Sequence, residues 1–108
     1  MAQGYYKLKG GASCRFTLLA ANHEVILTSQ SYDSKAGAEG GIESVRKNGP
    51  DAKNYEKKTS SAKQPYFVLK AGNGQIIGTS EMYTSEAGRD NGIASVQANS
   101  ASTTVKEE

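Results

Sequence analysis

Residues 28–48, TSQSYDSKAGAEGGIESVRKN, return fifty-one positions later as TSEMYTSEAGRDNGIASVQAN, residues 79–99, with eleven of twenty-one positions identical and no gap. Extending the comparison leftwards at the same offset pairs FTLLAANHEVIL (16–27) with FVLKAGNGQIIG (67–78) and adds five identities. Self-similarity at a fixed offset marks one structural unit used twice. A unit of about fifty residues is too small to bury much core alone, so the two are expected to share one. The chain therefore reads as a single domain, 1–108, with repeat one at about 5–53 and repeat two at about 54–107.

Within each unit the hydrophobic period names the elements. Phe16, Leu18 and Ala20, like Phe67, Leu69 and Ala71, recur at every second position, as in a strand with one buried face. Val25–Ser29 and Ile76–Ser80 are β-branched-rich partners. Asn22-His23 and Asn73-Gly74 between them predict a two-residue hairpin turn with positive φ. The period then changes. Ala38, Gly41, Ile42 and Val45, like Gly92, Ile93 and Val96, recur at helical spacing, after Asp33-Ser34 or Thr84-Ser85 as candidate N-caps. Asn48-Gly49-Pro50 predicts a stop with Gly49 in the left-handed conformation. Gly41 and Gly92 weaken a helix, which implies close approach of the helix to the sheet. Lys35 with Glu39, and Glu43 with Lys47, read as i,i+4 pairs on a solvated face. YYKLKG (5–10) and NYEKKTS (54–60) complete the strands, with TTVKE (103–107) as a weaker seventh.

Both copies of Gly-Ile-x-Ser-Val, Gly41–Val45 and Gly92–Val96, follow a hairpin, and in this the chain resembles the YegP-like family of small uncharacterised bacterial proteins. The likeness runs from Tyr5 to Lys106. It implies an α+β fold in which two tandem β-rich/α repeats form a single, mainly antiparallel sheet with one helix per repeat and exchanged C-terminal strands. NYEKKTS would then be the strand passed between units. The resemblance implies no activity and no catalytic residues.

The residues themselves offer little chemistry. Cys14 and His23 are each the one residue of their kind, and a hairpin's length separates them by roughly 25 Å at about 3.3 Å per residue. No catalytic set and no metal set follow, and no cofactor is implied; KGGAS (9–13) and KAGNG (70–74) match no phosphate-binding spacing. What remains is a hydroxyl-rich passage from strand to helix. Thr28, Ser29, Tyr32 and Ser34, matched by Thr79, Ser80, Tyr83 and Ser85, could hold an anion or ligand at a helix N-terminus, or could simply cap helices and end strands. Tyr5, Tyr6, Lys7 and Lys9, with Tyr55, Lys57 and Lys58, interleave aromatic and basic side chains as a single-strand nucleic-acid surface would.

A net charge of +2 names no partner, the start lacks the pattern of a secretory signal, and no run of about eighteen apolar residues exists to cross a membrane. The expectation is a soluble, cytoplasmic, non-enzymatic binding or protein-interaction module, with an unknown protein partner or self-association. A weak single-stranded nucleic-acid binder is the alternative, and an enzyme of unknown type the last. Leu19, Ile26, Val68 and Ile77 suggest that the sheet's second face is partly apolar.

Overall fold

The computed structural model describes residues 4–11 and 13–107; residues 1–3, 12 and 108, which the sequence reading includes in its domain and its glycine loop, lie outside the described residues. Seven strands form one sheet: β1 (Tyr5–Lys9), β2 (Arg15–Leu19), β3 (Val25–Ser29), β4 (Tyr55–Thr59), β5 (Pro65–Lys70), β6 (Ile76–Thr79) and β7 (Val105–Glu107). Helix α1 (Lys35–Asn48) follows β3 and helix α2 (Glu86–Asn99) follows β6. Across the sheet the order is β4-β5-β6-β3-β2-β1-β7. Every neighbouring pair is antiparallel except β1 with β7, which is parallel.

That order is a pseudo-two-fold: β1-β2-β3 on one side of the β3–β6 seam mirrors β4-β5-β6 on the other. The strand after each helix joins the opposite side, β4 beside β5 and β7 beside β1, so the C-terminal strands are exchanged. The seam is short, with Thr28 opposite Thr79 and Ser29 opposite Gly78. Both helices bridge it on one face, α1 packing on β2, β5 and β6 and α2 on β2, β3 and β5. The core lies between sheet and helices and runs through both halves: Tyr6, Leu8, Phe16, Leu18 and Leu27 meet Phe67, Leu69 and Ile77 under Ile42, Val45, Ile93 and Val96. Neither half buries these side chains without the other.

The turns differ from the two-residue form expected. Ala20 N–H reaches Glu24 O and His23 N–H reaches Ala20 O, which is a three-residue loop with His23 at φ 69°. Ala71–Gln75 repeats it with Gly74 at φ 86°, and Ser60–Gln64 with Lys63 at φ 63°. Three-residue loops place one residue in the left-handed region and lead into a bulge. Two of the three hairpins carry a further bulge inside the ladder, where Leu18 pairs Leu27 but Leu19 pairs Val25, and Leu69 pairs Gly78 but Lys70 pairs Ile76, whereas β4 and β5 pair without a shift. Ile26 and Ile77 are the extra residues, and both turn into the helix-side core. This corrects their assignment to the second face.

Gly49 corrects another expectation. It is right-handed, φ −60° and ψ −37°, as is its counterpart Ser100 at φ −59° and ψ −30°. Glycine is needed there for space, since a Cβ would come within 2.5 Å of Ser100 Cβ. At Gly41 the close approach is confirmed, with a Cβ placed 2.8 Å from Phe16 Cε2 and against the Tyr32 hydroxyl.

Candidate functional site

The strand-to-helix passages are occupied by internal bonds. Ser29 Oγ, in the buried interior, accepts from Phe16 N–H at 2.9 Å and donates to Gln30 O at 2.8 Å. Ser80 Oγ does the same with Phe67 N–H at 3.0 Å and Glu81 O at 2.8 Å. Each serine thereby satisfies an amide that the strand ladder leaves over. Ser34 and Ser85 are the N-caps, accepting from Gly37 and Gly88 N–H, both at 3.0 Å. Tyr32 stacks on Phe16 at 6.2 Å between centroids, and Tyr83 on Phe67 at 6.3 Å. Burial raises both phenols above the ordinary tyrosine range, and Glu81 and Glu24 add to the rise at Tyr83. The fold thus brings Ser29, Tyr32 and Ser34 into one strip and Ser80, Tyr83 and Ser85 into its twin. Thr28 and Thr79 are set apart from both, facing each other across the seam on the helix-free side.

Cys14 and His23 stay separate. Cys14 is buried and bridges Tyr32 through paired backbone bonds, whereas His23 sits at the tip of the β2–β3 hairpin with Nδ1 2.9 Å from the Tyr5 hydroxyl. Among the described residues no three of His, Cys, Asp and Glu come together as a metal set, and no helix is long and apolar enough to cross a membrane.

The surface that stands out is the helix-free face. Tyr6 and Leu8 are buried under the helices, so Tyr5, Lys7 and Lys9 point the other way. By the same alternation Arg15, Thr17 and Leu19 on β2 and Tyr66, Val68 and Lys70 on β5 lie on that face. On β4, Lys57 is tied to Asp90 of α2 at 3.2 Å, which turns Glu56 and Lys58 to the open side. Lys106 completes it, its Nζ 4.6 Å from the Tyr5 ring centroid. Among the described residues the open face therefore carries Lys7, Lys9, Arg15, Lys58, Lys70 and Lys106 against one carboxylate, Glu56, a net of +5 in a chain that totals +2. Glu56 is bonded to Lys70 and Lys58, which hold its carboxyl below the usual range. The second face is thus cationic; of its apolar residues Leu19 and Val68 are buried among their neighbours, while Ile76, opposite Lys70, is exposed.

Sequence reasoning missed this segregation because net charge is a single number, and strand phase is what sorts the lysines. It also missed Arg89. Where repeat one buries Ala38, repeat two buries Arg89, only 8% exposed, with Nε 3.4 Å from Asp90. The sequence-level i,i+4 pairs give way as well: Lys35 bonds Glu107 of β7, and Glu43 bonds Arg46.

Sheet, helices and duplicated seam define a tandem-repeat α+β protein with one open face. Residues 12–56 and 60–107 each match the family described as "Domain of unknown function (DUF1508)". The chain belongs to that family, in its two-copy form. It is 53% identical over 106 residues to the UPF0339 protein YegP of Escherichia coli O157:H7, covering 96% of each chain. The UPF0339 protein of Bordetella pertussis is 51% identical, over 97% of this chain and 96% of that one. The solution NMR structure of yegP from E. coli, described as a protein of unknown function, superposes with a TM-score of 0.93 at 50% identity, over 100% of this chain and 95% of that one. The NMR structure of the UPF0339 protein from Shewanella oneidensis gives 0.90 at 50% identity, over 99% and 92%. None of these relatives brings an assigned activity.

Proposed function

We propose that the chain is a non-enzymatic binding module whose working surface is the open sheet face and whose partner is anionic. One observation carries this reading: among the described residues, six cations and a single carboxylate gather on the face that no helix covers, in a molecule of almost balanced charge. A field of that kind raises the encounter rate with an opposite surface and orients it. A cytoplasmic setting belongs to the same reading, since one unpaired buried cysteine suits a reducing compartment.

Within this class, single-stranded nucleic acid is the second reading, favoured by Tyr5 and Tyr66 standing among the cations on the same face. The test is titration with an oligothymidine and with polyglutamate at roughly 50 and 200 mM salt, where phosphate contacts lose affinity steeply. The paired reversal Lys58→Glu and Lys106→Glu abolishes binding, and Lys47→Glu on the helix side leaves it intact. Preference for the oligonucleotide selects the second reading. No binding to either polymer, or equal loss in the Lys47→Glu control, overturns the proposal.

A further inference from the structure

The two sheet edges are twins with different fates. At the first, β7 lies parallel to β1, with Val105 beside Tyr6 and Glu107 beside Leu8. It is held by Tyr6 N–H to Thr104 O at 3.0 Å, Arg46 Nε–H to Ser102 O at 2.9 Å, and the ion pair of Lys35 with Glu107. A groove of about 380 Å³ runs between this strand and α1, lined by Glu39, Ile42, Glu43, Arg46, Val105 and Glu107.

At the second edge β4 takes the place of β1. Tyr6 pairs Leu18 and Tyr55 pairs Leu69, and Leu18 and Leu69 are repeat equivalents. Tyr6 therefore corresponds to Tyr55, and Leu8 to Lys57. The helix positions correspond at an offset of fifty-one: Lys35 to Glu86, Glu39 to Asp90, Ile42 to Ile93, Arg46 to Gln97. Among the described residues no strand lies outside β4. Tyr55 N–H turns away from β5 to Ala52 O, so by alternation Lys57 and Thr59 also present their backbone groups outward. The apolar floor is more open here, Ile93 being 8% exposed against 2% for Ile42.

We propose that the outer edge of β4, beside α2, docks an extended segment of a partner protein that runs parallel to β4 as β7 runs to β1. The chain displays the mode in its own first half: strand addition by main-chain bonds, with side-chain pockets for selectivity. The charge at the helix start defines the occupant. Where β7 places Glu107 against Lys35, the second edge presents Glu86 as the carboxylate left to the occupant, since Asp90 one turn on is already paired with Lys57 of β4. The segment has a branched apolar residue at the position of Val105 and a Lys or Arg at the position of Glu107. A second copy of β7 is disfavoured by the same charges, since its Glu107 would meet Glu86. The site is separate from the open face and does not depend on it.

The probes are two synthetic peptides: Ser-Thr-Thr-Val-Lys-Glu, which copies residues 102–107, and the same peptide ending in Lys. Each is titrated into the isotopically labelled full chain and followed by amide chemical shifts. The Lys-ended peptide shifts Lys57, Thr59, Asp90 and Ile93 and leaves Leu8 unmoved. The Glu-ended peptide binds roughly threefold more weakly, the scale of one exposed ion pair. In Glu86→Lys the preference reverses. No shift along β4, equal binding of both peptides, shifts along β1 as β7 is displaced, or β4 shifts that track only the concentration of the chain itself would each overturn the proposal.

Discussion

The first and second halves of the molecule bury the same aromatic pairs and yet end differently, and the difference separates what the shared core requires from what it tolerates. Tyr6 lies edge-on to Phe16 at 6.0 Å and Tyr55 edge-on to Phe67 at 5.6 Å. Each donates its hydroxyl to a carbonyl where the other half's helix ends, Ser100 O at 2.6 Å and Gly49 O at 2.7 Å. Burial lifts both phenols far above the ordinary tyrosine range. Outside this frame the halves part. Tyr6 carries Arg46 over its ring at 5.4 Å and is closed off by β7, while Tyr55 has the short 3-10 turn Ala52–Asn54 beside it and an open edge. Cys14 and Tyr32 exchange two backbone bonds, whereas Pro65 can return only one to Tyr83. The duplicated core is constrained, and the margins are where the copies diverge.

The core equivalence is tested first by Phe16→Ala and Phe67→Ala, each expected to lose about 3–5 kcal/mol on denaturant unfolding. Both rings are fully buried in the shared cluster, so the two losses should agree within roughly 1 kcal/mol, the ordinary scatter between sites. A much larger gap would break the pseudo-symmetry. Next, Gly41→Ala should cost about 1–3 kcal/mol through overpacking against Phe16 and Tyr32. Gly92→Ala should cost about as much, because the added Cβ stands farther from Phe67, 3.2 Å instead of 2.8 Å, but closer to the Tyr83 ring, 2.6 Å to Cζ against 2.8 Å at Tyr32. Gly40→Ala, with nothing within 4 Å, should instead gain about 0.5–1 kcal/mol from helix propensity.

Removal of the phenolic hydroxyls sharpens the comparison at the margins. Tyr6→Phe should cost about 1–2 kcal/mol, since Ser100 O is left buried without its donor, and Tyr55→Phe less at its half-exposed site. The smallest effect is one of pH. Lys57 and Arg89 hold the Asp90 carboxyl below its usual value, and Lys70 and Lys58 do the same for Glu56. Such groups stabilise above the unfolded carboxylate value and lose that contribution as pH falls through the folded one. Lys35, raised by its bond to Glu107, works in reverse: its contribution is present below the unfolded lysine value and is lost as pH rises through the folded one. Carboxyl chemical shifts followed through an acid titration should therefore show Glu56 and Asp90 of the second half titrating late. Ordinary titration of both would remove those pairs from the comparison.

Much of the frame was legible in the sequence, because it rests on short-range rules. Ser34 and Ser85 announce their helices, and Phe16-Leu18 and Phe67-Leu69 announce their strands, through local capping and period. The correspondence of Tyr6 with Tyr55 was not legible at an offset of fifty-one. Tyr6 pairs a residue twelve positions on and Tyr55 one fourteen positions on, so the offset slips to forty-nine across the first hairpin. Lys63 gave no glycine or asparagine signal for its left-handed turn. Arg89 was hidden because a charged letter at a core position reads as surface, although its stem can pack while its head stays paired. In the hydroxyl strip the caps of Ser34 and Ser85 on Gly37 and Gly88 follow from local rules, but the occupation of Ser29 and Ser80 by the Phe16 and Phe67 amides depends on the tertiary ladder.

The parallel neighbourhood of β1 and β7 also sets a timetable. Tyr6 donates to a carbonyl ninety-four residues downstream. At about 5–20 residues per second on the ribosome, that acceptor emerges roughly 5–20 seconds after the tyrosine does. The half of the molecule that is synthesised first therefore waits for its outer strand until the other six strands and both helices described above have been made.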